Sequence, residues 1–270
     1  MPITFAHPAA AIPLLRFRLP LSALVAGSVM PDLPYFIHLS TGAGYAHTPK
    51  GLVTFCLPAG LVSLWVFHAL LKRPLLSLAP PTHRGKLASS AQRFAFLPLR
   101  RLLRTSLSIL IGAVTHVVWD SFTHANGWMV LRVSLLAQPL VVTPYGYLYT
   151  YKVLQYLSSL CGTLLLIWWY RRWVLKADNV PAYSLPAPAE PARRLWIATI
   201  LLLPATIAGA HGLWLNYSPQ GIRWVYLFAR DFVLMYGVTL TVTTCAYCAV
   251  WHAGVFSAKQ SGPSLDTTTS

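Results

Sequence analysis

Charged side chains are scarce in this sequence. Asp, Glu, Lys and Arg make up 10% of its 270 residues, whereas an ordinary soluble domain carries about 25%. Hydrophobic residues occupy 56% of the positions, and the mean hydropathy is +0.55. This composition argues against a soluble globular domain and favours a multi-pass membrane protein.

The sequence also lacks the cysteine pattern of a disulfide framework or a zinc knuckle. All four cysteines fall within apolar segments. The one close pair, Cys245 and Cys248, has no second pair that would complete a knuckle. We therefore interpret the cysteines as small packing residues.

Five apolar windows are long enough to cross a bilayer as helices, which takes about 20 residues each. A shorter apolar patch, Leu19–Met30, is bounded by prolines and predicts one arm of an N-terminal helical hairpin that brings Asp32 back towards His7. The predicted fold is all-α: a multi-pass transmembrane helix bundle of about five long spans plus this hairpin. The five windows are Gly51–Leu71, Thr105–Phe122, Val153–Tyr170, Leu195–Leu215 and Asp231–Trp251.

The net charge of +15 is unevenly distributed along the chain. If the basic loop 72–104 is cytoplasmic and the sides alternate, 16 of the 21 Lys and Arg residues lie in the cytoplasm. The positive-inside rule predicts this asymmetry, so the basicity reports topology rather than nucleic-acid binding. We expect a multi-pass protein of the cytoplasmic membrane with cytoplasmic basic loops, and membrane lipid as its partner. The sequence identifies no protein partner.

Composition also predicts the domain organisation. Residues 1–176 form a membrane domain that carries the candidate site, and a Pro/Ala-rich cytoplasmic linker covers residues 177–194. A C-terminal transmembrane helix pair follows over residues 195–256, and residues 257–270 form a disordered tail. An alternative is that Arg16 and Arg18, before an apolar patch, belong to a cleaved signal peptide, although the first residues lack its basic start.

The most informative motif places His116, Asp120 and His124 four residues apart in a predicted span. Because each step of four turns a helix by about 400°, the three side chains share one face and extend over roughly 12 Å. Ionisable groups in a membrane span are costly and face a partner or a cavity. The spacing suits two ions, or one ion and a separate acid–base group. The alternative is a polar stripe that hydrogen-bonds neighbouring helices.

The predicted topology gathers further polar residues at the same membrane end. Four imidazoles and two carboxylates suit zinc or a similar divalent ion, and six ligands favour a site with two ions. Asp120 and His124 are the candidate catalytic residues. Ser121, Thr123, Asn126 and Gln155 are expected to orient the ligands. The candidate metal ligands are His7, Asp32, His47, His116, Asp120 and His124.

Four motifs occur in a fixed order along the chain: Phe5–Ala10, Gly27–Phe36, His47–Gly51 and Gly112–His124. Together they resemble a bacterial membrane family called domain of unknown function 4184. More distantly, the pattern is similar to bacterial inner-membrane metal-dependent hydrolases and to soluble zinc-dependent phospholipase C enzymes. That resemblance implies that His7, Asp32, His47, His116 and Asp120 are metal ligands, and it implies the bacterial inner membrane. The second helical His-x-x-x-Glu/Asp motif of the soluble enzymes is missing.

Three functions are compatible with these residues. The leading one is a metal-dependent hydrolase that acts on a phosphoester or lipid-linked substrate at the non-cytoplasmic face. The second is a structural or assembly protein in which the polar cluster fixes helix packing. The third is a transporter with a His/Asp relay, although the later spans offer few polar residues to continue such a relay.

Overall fold

The computed structural model is helical along nearly the whole of the part that it describes. Two 3-10 helices, Thr4–Ala11 and Pro13–Phe17, form the first arm of the N-terminal hairpin. Nine helices of four or more residues follow in the described residues: α1 Leu21–Val29, α2 Leu33–Phe36, α3 Ala43–Ala46, α4 Pro49–Ser77, α5 Pro81–Arg84, α6 Leu99–Thr123, α7 Thr150–Lys176, α8 Glu190–Leu215 and α9 Gly221–His252. Helix α4 includes two π-helical turns, Leu52–Cys56 and Phe67–Leu71. The described residues are 4–37, 43–87, 94–143, 146–177, 186–216 and 221–256.

Five of these helices are long and apolar enough to cross a membrane, which confirms the predicted fold class. Each contains one predicted window and extends beyond it. Many of their large apolar side chains are exposed, as Leu157 and Leu160 are on α7, and this suits helices that face lipid. The five helices are Pro49–Ser77, Leu99–Thr123, Thr150–Lys176, Glu190–Leu215 and Leu227–His252.

A small β-hairpin between α6 and α7 was not predicted. Strand β1 (Pro139–Thr143) pairs antiparallel with β2 (Gly146–Tyr149). The β-branched residues Val141 and Val142 and the tyrosines of β2 favour extended backbone.

Contacts divide the chain into two compact units, residues 1–66 with 94–176 and residues 67–93 with 177–270. The predicted linker 177–194 includes the beginning of α8 at Glu190. The predicted disordered tail, residues 257–270, lies outside the described residues.

In the first unit, α1 crosses α6 at two glycines. A Cβ atom on Gly27 would collide with the backbone carbonyl of Ile109, and one on Gly112 would collide with that of Leu24. Small residues let membrane helices approach this closely. The crossing places the end of α1 beside the last turns of α6, where the polar cluster lies.

In the second unit, α8 and α9 pack against each other. Its core includes Ile200, Tyr247 and Trp251. The hydroxyl groups of Tyr247 and Ser77 are 2.6 Å apart, and Arg193 donates a hydrogen bond to the Leu78 carbonyl at 3.0 Å. These contacts join α9 and α8 to the last turns of α4.

Candidate metal centre

The N-terminal hairpin supplies two of the six predicted ligands. His7 lies in the first 3-10 helix, and Asp32 ends the short 3-10 turn Met30–Asp32 that follows α1. Both side chains are buried beside Asp120 of α6. The hairpin therefore returns to the level at which it began, as the sequence predicted.

His47 is held by the cap of α4. Thr48 is the N-cap residue, and its hydroxyl oxygen accepts a hydrogen bond from the Gly51 N–H at 3.0 Å. The same hydroxyl donates to the Tyr45 carbonyl at 2.8 Å. Pro49 suits the first helical position because it needs no backbone donor. His47 is thereby fixed one residue before a rigid helix start.

His116 is fully buried in α6, and its tautomer is set by α1. Its Nδ1 atom lies 2.8 Å from the Ser28 carbonyl oxygen, which can only accept. Nδ1 therefore carries the proton and donates, and Nε2 presents a lone pair to the cluster. Metal-binding histidines commonly show this arrangement, with the second nitrogen bonded to a carbonyl.

Four of the predicted ligands form one tight group, and their ligand atoms all lie within 4.8 Å of one another. His116 Nε2 lies 3.2 Å from Asp120 Oδ2 and 3.5 Å from Asp32 Oδ1. His47 Nε2 lies 3.5 Å from Asp120 Oδ2 and 3.7 Å from Asp32 Oδ1. Ligands of tetrahedral zinc, with bonds of 2.0–2.1 Å, lie about 3.3 Å apart. The four-residue group therefore has the size of a single zinc site.

The electrostatics of this group also fit a cation. The two carboxylates and the Nε2 lone pair of His116 converge as acceptors. Among the described residues, His116 Nε2 and Asp120 Oδ1 are buried atoms without a hydrogen-bond partner. Leaving such atoms unpaired costs about 1–3 kcal/mol each, and more for a charged group. A divalent ion bound among these atoms would remove much of that cost.

His7 and His124 lie on the other side of the same carboxylate. His7 Nε2 is 3.6 Å from Asp120 Oδ1, and His124 Nδ1 is 3.5 Å from that oxygen. The His7 ring stacks on the His116 ring with centroids 4.0 Å apart. The Oδ2 atom of Asp120 thus faces His47 and His116, and its Oδ1 atom faces these two histidines. The structure brings four histidines to the Asp120 carboxylate, and it gathers Asp32, His47, His116 and Asp120 into the tight group.

Burial lowers the pKa of His7 to about 4. His7 is therefore neutral at physiological pH, which is the form that can bind a metal. Its stacking on His116 also needs no charge.

The four predicted orienting residues differ in their placement. Gln155 is buried on α7, and its Nε2 lies 3.3 Å from His124 Nε2. Thr123 Oγ1 lies 3.3 Å from His124 Nδ1. Ser121 donates to the Val118 carbonyl of its own helix. Asn126 is an exposed residue after the helix end, so Gln155 and Thr123 are the two that contact a predicted ligand.

Two contributors were missed by the sequence analysis. The Ser28 carbonyl has no sequence signal, because every residue carries one. Lys152 Nζ donates to Gln155 Oε1 at 3.0 Å. Lys152 lies one residue before the predicted window Val153–Tyr170, and only the longer helix of the structure brings it within one turn of Gln155.

The fold and the cluster define a helical protein with membrane-spanning segments and a buried His/Asp group that could hold a metal ion. The chain belongs to the family described as domain of unknown function (DUF4184), whose model matches residues 1–251. All six candidate ligands lie within that range, and the predicted family is confirmed. No curated protein and no solved structure matches this chain.

Proposed function

We propose that this protein is an integral-membrane, metal-dependent hydrolase that acts on a phosphoester or lipid-linked substrate at the non-cytoplasmic face. The four-residue group of Asp32, His47, His116 and Asp120, with zinc-like spacings of 3.2–3.7 Å, is the observation that supports it. The second oxygen of Asp120, flanked by His7 and His124, adds a place for a second ion.

The chemistry that a bound divalent ion supplies is a lowered pKa of coordinated water, towards about 7, and polarisation of the phosphoryl group. Asp32, His47, His116 and Asp120 would hold that ion. The Ser28 carbonyl keeps His116 in the tautomer that offers Nε2. Two carboxylates only partly offset the charge of two divalent ions, so the site would attract an anionic substrate.

In the arrangement with a single ion, His124 is free of metal and is the candidate for proton transfer. Its side chain is 38% exposed, against 0% for His116, and it contacts both Asp120 and Gln155. In hydrolysis the water oxygen forms a bond to phosphorus, and the bond from phosphorus to the leaving oxygen breaks. His124 would accept the proton of the water and return it to the leaving oxygen, with Asp120 stabilising the protonated imidazole.

A structural metal site is the second candidate, and one observation favours it. Four protein ligands complete a tetrahedron, whereas catalytic zinc usually keeps one position open. In the structural case the ion would join the hairpin, the start of α4 and the end of α6 without turning over a substrate.

Elemental analysis of detergent-purified protein tests the metal site. We expect stoichiometric zinc or manganese in the wild type and loss of the metal in His116→Ala and Asp120→Ala. His252→Ala is the matched control, because His252 contacts the Leu70 carbonyl in the second unit and should leave the metal content unchanged. A folded wild-type protein that binds no divalent metal would refute the proposal.

Activity separates the two candidates. Zinc-loaded wild type should hydrolyse ethyl p-nitrophenyl phosphate, and Asp120→Ala should not.

Chelation should also lower the thermal unfolding temperature of the wild type, since an ion at 100 times its Kd contributes about 2.7 kcal/mol to the free energy of unfolding. Metal binding and this chelator effect without hydrolysis of any phosphoester would support the structural candidate. An unfolding temperature unchanged by chelation would argue for a metal-free packing role.

A further inference from the structure

A groove of about 420 Å³ lies beside the candidate metal centre in the first unit. It runs between the first 3-10 helix, α6 and α7, and its lining includes Ala9, Ala10, Val118, Gly162 and Leu165. Its volume lies in the range of small-molecule pockets, which is about 300–1,000 Å³.

One end of the groove meets the metal centre. His7 and Gln155 both line it, His7 Nε2 lies 3.6 Å from Asp120 Oδ1, and Gln155 Nε2 lies 3.3 Å from His124 Nε2. Lys152 donates to Gln155 at 3.0 Å and adds a positive charge at this end. A ligand in the groove could therefore place an anionic group at the cluster.

The rest of the groove surface is mainly apolar, although four residues with hydroxyl groups line it. Each hydroxyl donates to a backbone carbonyl of its own helix and so presents mainly carbon to the groove. The four bonds run from Ser158 and Ser159 to Gln155, from Thr115 to Gly112, and from Thr123 to Trp119.

The groove has the length of one membrane leaflet. From Gln155 to Leu165, ten residues of α7 rise by about 15 Å, which is half of a hydrocarbon core of about 30 Å. A helix from a partner protein would not fit, because a cylinder 10 Å wide and 15 Å long occupies about 1,200 Å³. A single hydrocarbon chain is narrow enough.

We propose that this groove binds one hydrocarbon chain of a membrane-lipid phosphoester and holds its phosphate at the metal centre. The inference rests on the proposed function and names its substrate class. The lipid enters sideways from the leaflet, with its chain along α7 and its phosphate between His7 and Gln155.

Two probes that differ only in the chain test this proposal: ethyl and hexadecyl p-nitrophenyl phosphate. For the wild type in nanodiscs, we expect kcat/KM to be roughly tenfold or more higher for the hexadecyl ester, because a chain held in the groove would keep the phosphate oriented at the metal centre. Ala10→Trp fills the groove and should reduce that ratio towards one. Leu160→Trp, at an exposed position of α7 outside the groove lining, should keep the wild-type ratio.

A second measurement does not depend on activity. Hexadecyl phosphate with a diazirine at mid-chain should crosslink to the α7 peptide containing Gly162 and Leu165. Crosslinking should fall in Ala10→Trp and persist in Leu160→Trp, with metal content and thermal unfolding confirming that both variants fold.

The outcomes separate the two proposals. Equal kcat/KM for both esters, or a wild-type ratio in Ala10→Trp, would overturn the groove and leave the hydrolase standing. If the metal-loaded protein hydrolyses neither ester, the proposed function fails, and the crosslink alone decides whether the groove binds a lipid chain. Absence of the crosslink in the wild type would then overturn the groove as well.

Discussion

Asp120 connects the two halves of the polar cluster at the scale of single residues. One of its oxygens faces His47 and His116, and the other faces His7 and His124. The spacing of four residues explains this division, because His116 and His124 lie two turns apart and cannot reach the same point. A substitution at Asp120 therefore affects both halves at once, whereas Gln155 reaches the cluster through its contact with His124.

Gln155→Leu should lower hydrolysis of ethyl p-nitrophenyl phosphate by about 10–100-fold, the usual effect of removing a residue that orients a ligand. The metal held by the four-residue group should remain, because none of its members contacts Gln155 in the hydrogen bonds and ion pairs of the described residues. Parallel assays and elemental analysis would check both statements.

Thr163→Val is the matched control for this prediction. Thr163 lies two turns further along α7 and only donates to the Ser159 carbonyl of its own helix. Full activity in Gln155→Leu would show that His124 needs no support from α7.

Much of the candidate site could be predicted from the sequence. The helical spacing placed His116, Asp120 and His124 on one face, and the charge distribution placed His7, Asp32 and His47 at the same end. The sequence could not show, however, that only four of the six ligands form a tight group. That separation depends on the direction of each imidazole, which packing against Ser28 and Thr48 determines.

At the scale of elements, the crossing of α1 and α6 positions the cluster. Gly27 precedes Ser28, the acceptor for His116, and Gly112 lies one turn before His116. The closeness of the two helices therefore controls the hydrogen bond that fixes the metal-binding tautomer.

Gly112→Ala should destabilise the protein by about 1–3 kcal/mol, the usual cost of overpacking, because the added Cβ would meet the Leu24 carbonyl. The metal content should fall with it as His116 moves away from Ser28. Thermal unfolding and elemental analysis of the variant measure both effects.

Gly209→Ala is the control for this substitution. A Cβ at Gly209 on α8 meets nothing within 4 Å, so alanine there should be neutral or stabilising by up to about 1 kcal/mol. Equal stability of the two variants would show that the α1–α6 crossing is not tight.

The first arm of the hairpin shows where local sequence rules were incomplete. The sequence predicted a helical hairpin here, and the chain forms its first arm from two 3-10 helices. Pro13 has no backbone N–H to donate to the Ala9 carbonyl, which disfavours one continuous α-helix over this arm. The short 3-10 segments still carry His7 to the cluster.

At the scale of the whole molecule, the basic loops predict which side of the membrane the cluster faces. Lys50 lies in the first turn of α4, three residues after His47, whereas Arg101 lies at the opposite end of α6 from Asp120, and both are exposed. We expect the Lys50 end to be non-cytoplasmic.

Single-cysteine labelling tests this orientation in a variant without the four native cysteines. Lys50→Cys should react with an impermeant maleimide on intact cells, and Arg101→Cys should react only after lysis. The reverse result would place the cluster in the cytoplasm. Labelling of both from outside would contradict a membrane-spanning α6.

Side-chain exposure rises across the cluster, from 0% at His116 to 23% at His47 and 38% at His124. Solvent thus reaches the cluster on the flank of His47 and His124, while the deepest imidazole is sealed behind them. Metal ions would therefore exchange through that flank. A chelator would remove an ion near His124 quickly, and it would remove the ion bound to His116 only after a local opening of the structure.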